Sequence, residues 1–390
     1  VIFRVMSRAM AHPYPLSQRQ ARRVWLHAQG LDVHAPFGGG AEATRLAVEH
    51  LGYVQIDTIH VIERCHHHIL HSRIPSYERG HLRQAQSVDK TVFEYWTHAL
   101  AYVPTRDLRF FVGAMKQHRK NTGTWLGAVT PQELRGVIGQ IKAQGPLSIR
   151  DMDDAVLVDK THLWASRKPS QKALQLGFYN GLLAISERRG MLKTYELMER
   201  HFGGEKLPKA ASTTETMGYL LDRALQAQGV VSLDSICHLN AGRKAAVRKV
   251  IDARVRRGSL VRVALEGDEK TEYWMEPGWL ERRFEEMEPV ARLLSPFDPL
   301  IIQRKRLQRF FGYEHVFEAY LPKEKRRFGY FALPVLVRDE VVAAIDLKTD
   351  RQNQKLCIQQ WHWVGNGADS IHRPAIEAAL DDFERFQLGN

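Results

Sequence analysis

The sequence predicts an α+β fold in which tandem helical modules, each closed by a β-hairpin, precede a C-terminal block of antiparallel strands. Three observations carry that prediction. The tripeptide Ala-Gln-Gly ends a helical pattern at Ala28–Gly30, again at Ala143–Gly145 and again at Ala227–Gly229. After the second and third copies the chain repeats itself, with GPLSIRDM against GVVSLDSI, then a long helix, then ERRGMLKTYEL against VRRGSLVRVAL. From Leu293 onward strand-like runs take over.

Taken in order, Ser17 caps an amphipathic helix, QRQARRVWLHAQGL, which ends at Gly30. A Gly-rich loop at 36–40 leads to a second helix over 41–51, closed by Gly52. The stretch Val54 to Ile59, VQIDTI, alternates apolar and polar residues and is expected to be a strand. Helices are expected at 61–70 and 77–86, then extended chain over 91–104, where aromatic and β-branched residues gather, and a basic helix over 106–120. In the second repeat the long helix is read as Ser170 to Arg188. In the third it is read as Gly242 to Arg257, carrying Arg243, Lys244, Arg248, Lys249, Arg254, Arg256 and Arg257. Helix, turn, helix, Arg-Arg-Gly and hairpin is the order of a winged helix-turn-helix, whose second helix can enter a DNA groove. The plainer reading is a packing helix with a solvated basic face. Strands are then expected at 314–320, 327–336, 341–347 and 355–364, with a turn at 337–340, as a small antiparallel sheet or barrel before a helix over 373–386.

At 390 residues the chain exceeds what one hydrophobic core usually supports. Four segments are expected: 13–125, 126–205, 206–290 and 291–390. No run of 18 apolar residues occurs, and the opening VIFRVMSRAMAH has neither a long apolar stretch nor a small-residue cleavage site, so an unexported cytoplasmic protein is expected, with Met6 or Met10 as candidate starts. Cys65, Cys237 and Cys357 are widely spaced and form no C-x-x-C, which suits a reducing compartment. Lys and Arg number 56 against 44 Asp and Glu, a net charge of +12. That excess biases the chain toward polyanions, because each cation set against a phosphate releases a condensed counterion.

Gln55 and Asp57 stand out chemically. Two residues apart on a strand, they would share a face and could hold one water between them. The alternative is an ordinary strand with its polar face in solvent. P-loop, G-x-S-x-G and H-E-x-x-H signatures are absent. Cys65, His66, His67, His68 and His71 suggest a metal site, but histidines spread over one and a half helical turns diverge, and no metal or other cofactor is expected.

The stretches LGYVQIDTIHVIERCHHHILHSRIPSY, FEYWTHALAYVP and LLSPFDPLIIQRKRLQRFFGYEHVFEAYLPKEKRRFGYFALPVLVRDEVVAAIDLKTDR resemble the winged-helix DNA glycosylases that unhook interstrand crosslinks, the YcaQ/AlkZ-like group. The resemblance runs from about position 15 to 385. It implies three tandem winged helices and a C-terminal β-barrel arranged in a C shape around a basic cleft. The family's Gln-apolar-Gln or Gln-apolar-Asp motif falls on Gln55, Ile56 and Asp57, and the Asp version resembles the YcaQ branch.

The implied reaction is hydrolysis of the N-glycosidic bond of a cationic N7-alkylguanine, crosslinked guanines included, by water and without a coupled lyase step. The partner is double-stranded DNA bearing that lesion, with no membrane and a monomeric protein. A crosslinked base cannot be extruded fully, so an open, shallow site is expected. Arg64, His66, His67 and Arg73 flank the motif and are expected at phosphates. His98 is expected to line the lesion site, with Tyr95 and Trp96 beside it assigned to packing. Arg243, Lys244, Arg248, Lys249, Arg304, Lys305 and Arg326 are expected on the DNA backbone, where they position rather than specify. The rival reading is a non-catalytic tandem winged-helix regulator, which accounts for charge and repeats but not for the carboxylate paired with a glutamine. A two-metal nuclease lacks the necessary acidic cluster.

Overall fold

The computed structural model describes residues 12–152, 168–204 and 206–389, and the chain has a mixed α+β fold. The opening residues 1–11, expected to carry no export signal, lie outside the described residues, as do 153–167 within the second repeat. Two compact units form: one comprises residues up to Glu78 and from Met217 onward, the other Arg79–Thr216. Among the described residues no helix is long and apolar enough to cross a membrane.

The first unit joins the two ends of the chain. Its helix Gln18–Ala28 begins with the expected cap: Ser17 accepts from the Gln20 N–H while the Gln20 side chain reaches back to Ser17. Strand Tyr14–Leu16, just before that helix, runs parallel to Val261–Leu265 of the third repeat, with Tyr14 against Val263 and Leu16 against Leu265. The full sheet order is Tyr14–Leu16, Val261–Leu265, Asp268–Met275, Val230–Val231. Fully buried Trp25 on the helix packs with Val230, Tyr273, Met275 and Phe310, so the N-terminal helix shares one core with the third repeat. The third repeat itself runs as helix Thr213–Gln228, short helix Leu233–Ile236, helix Lys244–Arg256 and a hairpin. All three Ala-Gln-Gly glycines have positive φ (63°, 93° and 65°), a region a side chain would strain, which is why the same tripeptide ends three helices.

One ion pair sits at the centre of this unit. Arg73 and Asp298 are both fully buried, with Nη1–Oδ2 at 2.7 Å and Nη2–Oδ1 at 3.0 Å. Arg73 Nε also donates to the Gln29 carbonyl at 2.8 Å, and Nη2 to Gln29 Oε1 at 3.0 Å. Gln29 in turn donates to the Ala227 carbonyl, tying the first Ala-Gln-Gly to the third. Nearby, Arg292 reaches the carbonyls of Leu31, Ser72 and Val33, which fixes strand Ala291–Leu293 against the N-terminal segment.

The C-terminal strands form an antiparallel sheet ordered Ala291–Leu293, Ala332–Val337, Glu340–Asp350, Lys355–Trp363. It is open, not the closed barrel expected. The expected strand at 314–320 is irregular chain, and the one expected from 327 begins only at Ala332. For the late start at Ala332 the cause is two carboxylates that take the backbone donors of 327–331 that a ladder would use. Glu318 accepts from the N–H groups of Arg327, Phe328 and Gly329 at 2.6–3.1 Å, and Asp346 from Tyr330 and Phe331 at 2.8 and 2.9 Å. The turn at 338–339 and the final helix, Asp369–Leu388, appear where expected.

In the second unit the stretch read as extended is a hairpin, Val92–Trp96 against Leu100–Pro104, followed by helix Leu108–Lys120. The long helix expected to Arg188 stops at Tyr179, and Leu183–Arg189 is instead a strand paired with Leu192–Leu197. A short apolar run such as LLAI fits either helix or buried strand, and Gly181 at φ 64° separates the two here. Glu94 and Arg188 form a buried bidentate pair, joined by Gln86 at 3.1 Å. Burial alone would raise the Glu94 carboxyl, but the Arg188 charge outweighs it and holds the group below its usual value.

Replacing Asp298 by Asn should cost about 3–5 kcal/mol of unfolding free energy, because it leaves Arg73 buried and unpaired. A double change to apolar residues of similar volume should recover most of that loss. Urea titration of the full chain measures both.

Candidate active site

Gln55 and Asp57 lie in the first unit, but not on one continuous strand. The strand is only Val54–Gln55, and residues 56–60 leave it as irregular chain. Burial shows the same break: Val54, Gln55 and Ile56 are all buried, with Gln55 6% exposed, whereas Asp57 is half-buried. Alternation therefore does not set the relation of the two side chains, contrary to the expectation from the sequence. What turns the chain is Asp57 itself, whose Oδ1 accepts from the Ile59 N–H at 2.8 Å. Among the described residues Oδ2 accepts no hydrogen bond, and this leaves one carboxylate oxygen available to water.

Four ties hold this turn in place. Cys65, at the start of helix Cys65–His71, donates from Sγ to the Gln55 carbonyl at 3.1 Å. Its thiol pKa lies well above the ordinary value, first because the group is buried and then because the Asp57 carboxylate is close, so the proton needed for that bond stays on sulfur. From the C-terminal sheet, the Thr349 N–H donates to the Val61 carbonyl at 3.0 Å and Arg351 Nη2 to the Ile62 carbonyl at 3.0 Å. Arg64 closes the loop on itself, with Nη1 on the Thr58 carbonyl at 3.1 Å.

Several residues expected on DNA are structural. Arg73 is fully buried in the pair with Asp298, so it cannot reach a phosphate. His66 is 1% exposed. His67 is half-buried and hydrogen-bonds Tyr77 Oη at 2.7 Å. The other histidines of this helix diverge: His68 meets the Leu293 carbonyl at 2.9 Å, and His71 pairs with Asp382 and stacks on Phe386 at 4.1 Å. Burial drives the His68 pKa down to about 4, so it is neutral at physiological pH.

On helix Lys244–Arg256, Arg248 is engaged by Asp252 and Glu272 and lies over the Trp274 ring at 5.3 Å, whereas Lys249 is exposed. Arg243 is half-buried, and Lys244 is paired with Asp234. Arg304 and Lys305 are exposed at the start of helix Arg304–Phe311. Arg326 is half-buried, bonded to the Leu321 carbonyl at 2.9 Å and lying over Tyr330 at 4.9 Å. In the second unit, Tyr95 is buried with its hydroxyl on the Tyr179 carbonyl at 2.8 Å, whereas Trp96, expected to pack, is 49% exposed beside the half-buried His98. Sequence reasoning missed Cys65, Thr349 and Arg351 as supports of the turn. The last two are hundreds of residues away in the chain, and nothing local marks them.

A turn that keeps one carboxylate oxygen free two residues from a buried glutamine, on a strongly basic α+β scaffold, is a candidate hydrolytic centre for a polyanionic substrate. A family model described as DNA glycosylase AlkZ-like matches residues 48–386, and the chain belongs to the AlkZ-like DNA glycosylase family. Its fold is similar to that of Streptomyces sahachiroi DNA glycosylase AlkZ, with a TM-score of 0.61 and 17% identity over 96% of this chain and 97% of that one.

If Cys65 is clamped as described, a thiol reagent added to the native protein should modify the half-buried Cys357 quickly and leave Cys65 and Cys237 until denaturant is present. Fast labelling of Cys65, located by peptide mass spectrometry, would contradict the clamp.

Proposed function

We propose that this chain is a monofunctional DNA glycosylase that hydrolyses the N-glycosidic bond of cationic N7-alkylguanines, crosslinked guanines included, and leaves an abasic site. The observation that carries the reading is the half-exposed Asp57 carboxylate with Oδ2 uncommitted, held by a turn whose every anchor lies in one unit. Family membership supplies the reaction class. The three winged helices, the four segments at 13–125, 126–205, 206–290 and 291–390, action as a monomer on duplex DNA and a cytoplasmic setting belong to the same proposal.

Chemistry explains why so few groups are needed. A guanine alkylated at N7 is already cationic and departs as a neutral base, so no general acid has to protonate it. What remains is to stabilise the oxocarbenium-like sugar and deliver water to its anomeric carbon. Asp57 does the first by its charge, and through Oδ2 it draws a proton from the attacking water. Gln55, largely buried, orients the site from the protein side: its carbonyl holds Cys65 and its carboxamide can accept from the water or donate to Asp57. The nucleophile is water.

Replacing Asp57 by Asn should slow single-turnover excision of N7-methylguanine from duplex DNA by roughly 100- to 10,000-fold while leaving duplex affinity within about threefold. The assay is run in EDTA, with abasic sites cleaved afterwards by alkali. Strand breaks that need no alkali would point to a lyase or nuclease, and excision at the unaltered rate would remove Asp57 from the chemistry. No excision by the unaltered chain would favour the non-catalytic DNA-binding reading.

A further inference from the structure

Helix Cys65–His71 carries the histidines that stand out in the sequence, and the chemistry proposed for Asp57 uses none of them. Two of them meet a single partner, the final helix Asp369–Leu388. The His68 ring lies 4.4 Å from that of Phe383, and the His71 ring stacks on Phe386 at 4.1 Å with the two planes 4° apart. His71 Nε2 also meets Asp382 Oδ2 at 3.2 Å. Cys65, whose thiol holds the Gln55 carbonyl, begins this same short helix. The final helix therefore backs one of the two elements that anchor the Asp57 turn.

It grips the other as well. Gln387 shares a side of the helix with Phe383 and Phe386, and its Oε1 accepts from the Thr349 hydroxyl at 2.5 Å. Glu384 Oε1 accepts from the Leu356 N–H at 2.6 Å. Thr349 and Leu356 face each other in register across strands Glu340–Asp350 and Lys355–Trp363, so both polar ties fall on one pair. That pair is the one next to the turn, because the Thr349 N–H donates to the Val61 carbonyl at 3.0 Å. Thr349 is only 6% exposed, and a hydroxyl so buried needs its acceptor. One residue thus joins helix to turn, by its hydroxyl on one side and its amide on the other. Buried Ile376, Leu380 and Phe383 would seat the helix by apolar contact alone. They do not account for two polar ties gathered at the single register pair beside the turn.

We infer that helix Asp369–Leu388 is a positioning element for the Asp57 turn, with Gln387 acting through Thr349, and Phe383 and Phe386 acting through His68 and His71. These residues touch no reacting atom. Their bearing on excision rests on the glycosylase reading given above, whereas their hold on the turn does not.

The test compares the full chain with Thr349→Val, Gln387→Leu, the two combined, and Thr349→Ser. Valine removes the hydroxyl but keeps the backbone N–H that reaches Val61, and serine keeps both. Amide hydrogen exchange, read by mass spectrometry over a peptide spanning 57–62, should quicken in Thr349→Val and Gln387→Leu and stay unchanged in Thr349→Ser. Single-turnover excision of N7-methylguanine should fall roughly 10- to 100-fold in the first two, with duplex affinity within about threefold. The combined variant should be no slower than the slower single one, because both changes break one path. Thr349→Ser should excise at close to the unaltered rate. Exchange over 57–62 that is unmoved in both single variants would overturn the hold on the turn. Faster exchange with an unaltered excision rate would overturn the positioning role, and losses that multiply in the combined variant would overturn the shared path. If the unaltered chain excises nothing, the glycosylase reading fails by itself, and the exchange measurement still decides whether the helix holds the turn.

Discussion

The buried pair between Arg73 and Asp298 is the constraint on which the first unit depends. These residues lie on segments more than two hundred positions apart, and both are fully buried, so neither charge is tolerable without the other. Gln29 extends the network to the end of the first helix, and through Ala227 to the end of a helix in the third repeat. An N-terminal piece carrying Gln55 and Asp57 is thereby fastened to a C-terminal piece carrying Thr349 and Arg351. The turn at Asp57 is then pinned from both sides. Under the proposed function, in which the chemistry rests on a single carboxylate, the energy of positioning is thereby supplied during folding.

Carboxylates also hold the chain at two departures from regular structure. Glu318 and Asp346 collect backbone N–H groups from residues 327–331, and Asp57 collects that of Ile59. Side-chain carboxylates thus replace ladder partners, and the backbone can turn without leaving donors buried and unpaired. In the second unit Glu94 and Arg188 do comparable work across two hairpins.

Much of this is legible in the amino-acid sequence. Ser17 caps its helix as expected, and the three Ala-Gln-Gly copies each end a helix because each glycine has positive φ. What failed, failed for physical reasons. VQIDTI alternates like a strand, but an Asp at the fourth position can cap its own turn, and that option won. The 327–331 stretch reads as strand because it is aromatic, yet Glu318 and Asp346 take its backbone donors. Arg73 looked like a surface cation because the aspartate that buries it lies far along the chain. Charge patterning gave the excess of cations but not which of them are spent: Arg248 is engaged by two carboxylates, whereas Arg304 and Lys305 are exposed without one.

These strands converge on one atom, the uncommitted oxygen of Asp57. The most direct measurement is a structure of the full chain bound to duplex DNA that carries N7-methylguanine on a 2′-fluorinated sugar, which resists departure of the base. The account predicts a single ordered water about 3 Å from Asp57 Oδ2, in line for attack on the anomeric carbon of the lesion. A lesion sugar bound well beyond the reach of one bridging water from Asp57 would contradict it.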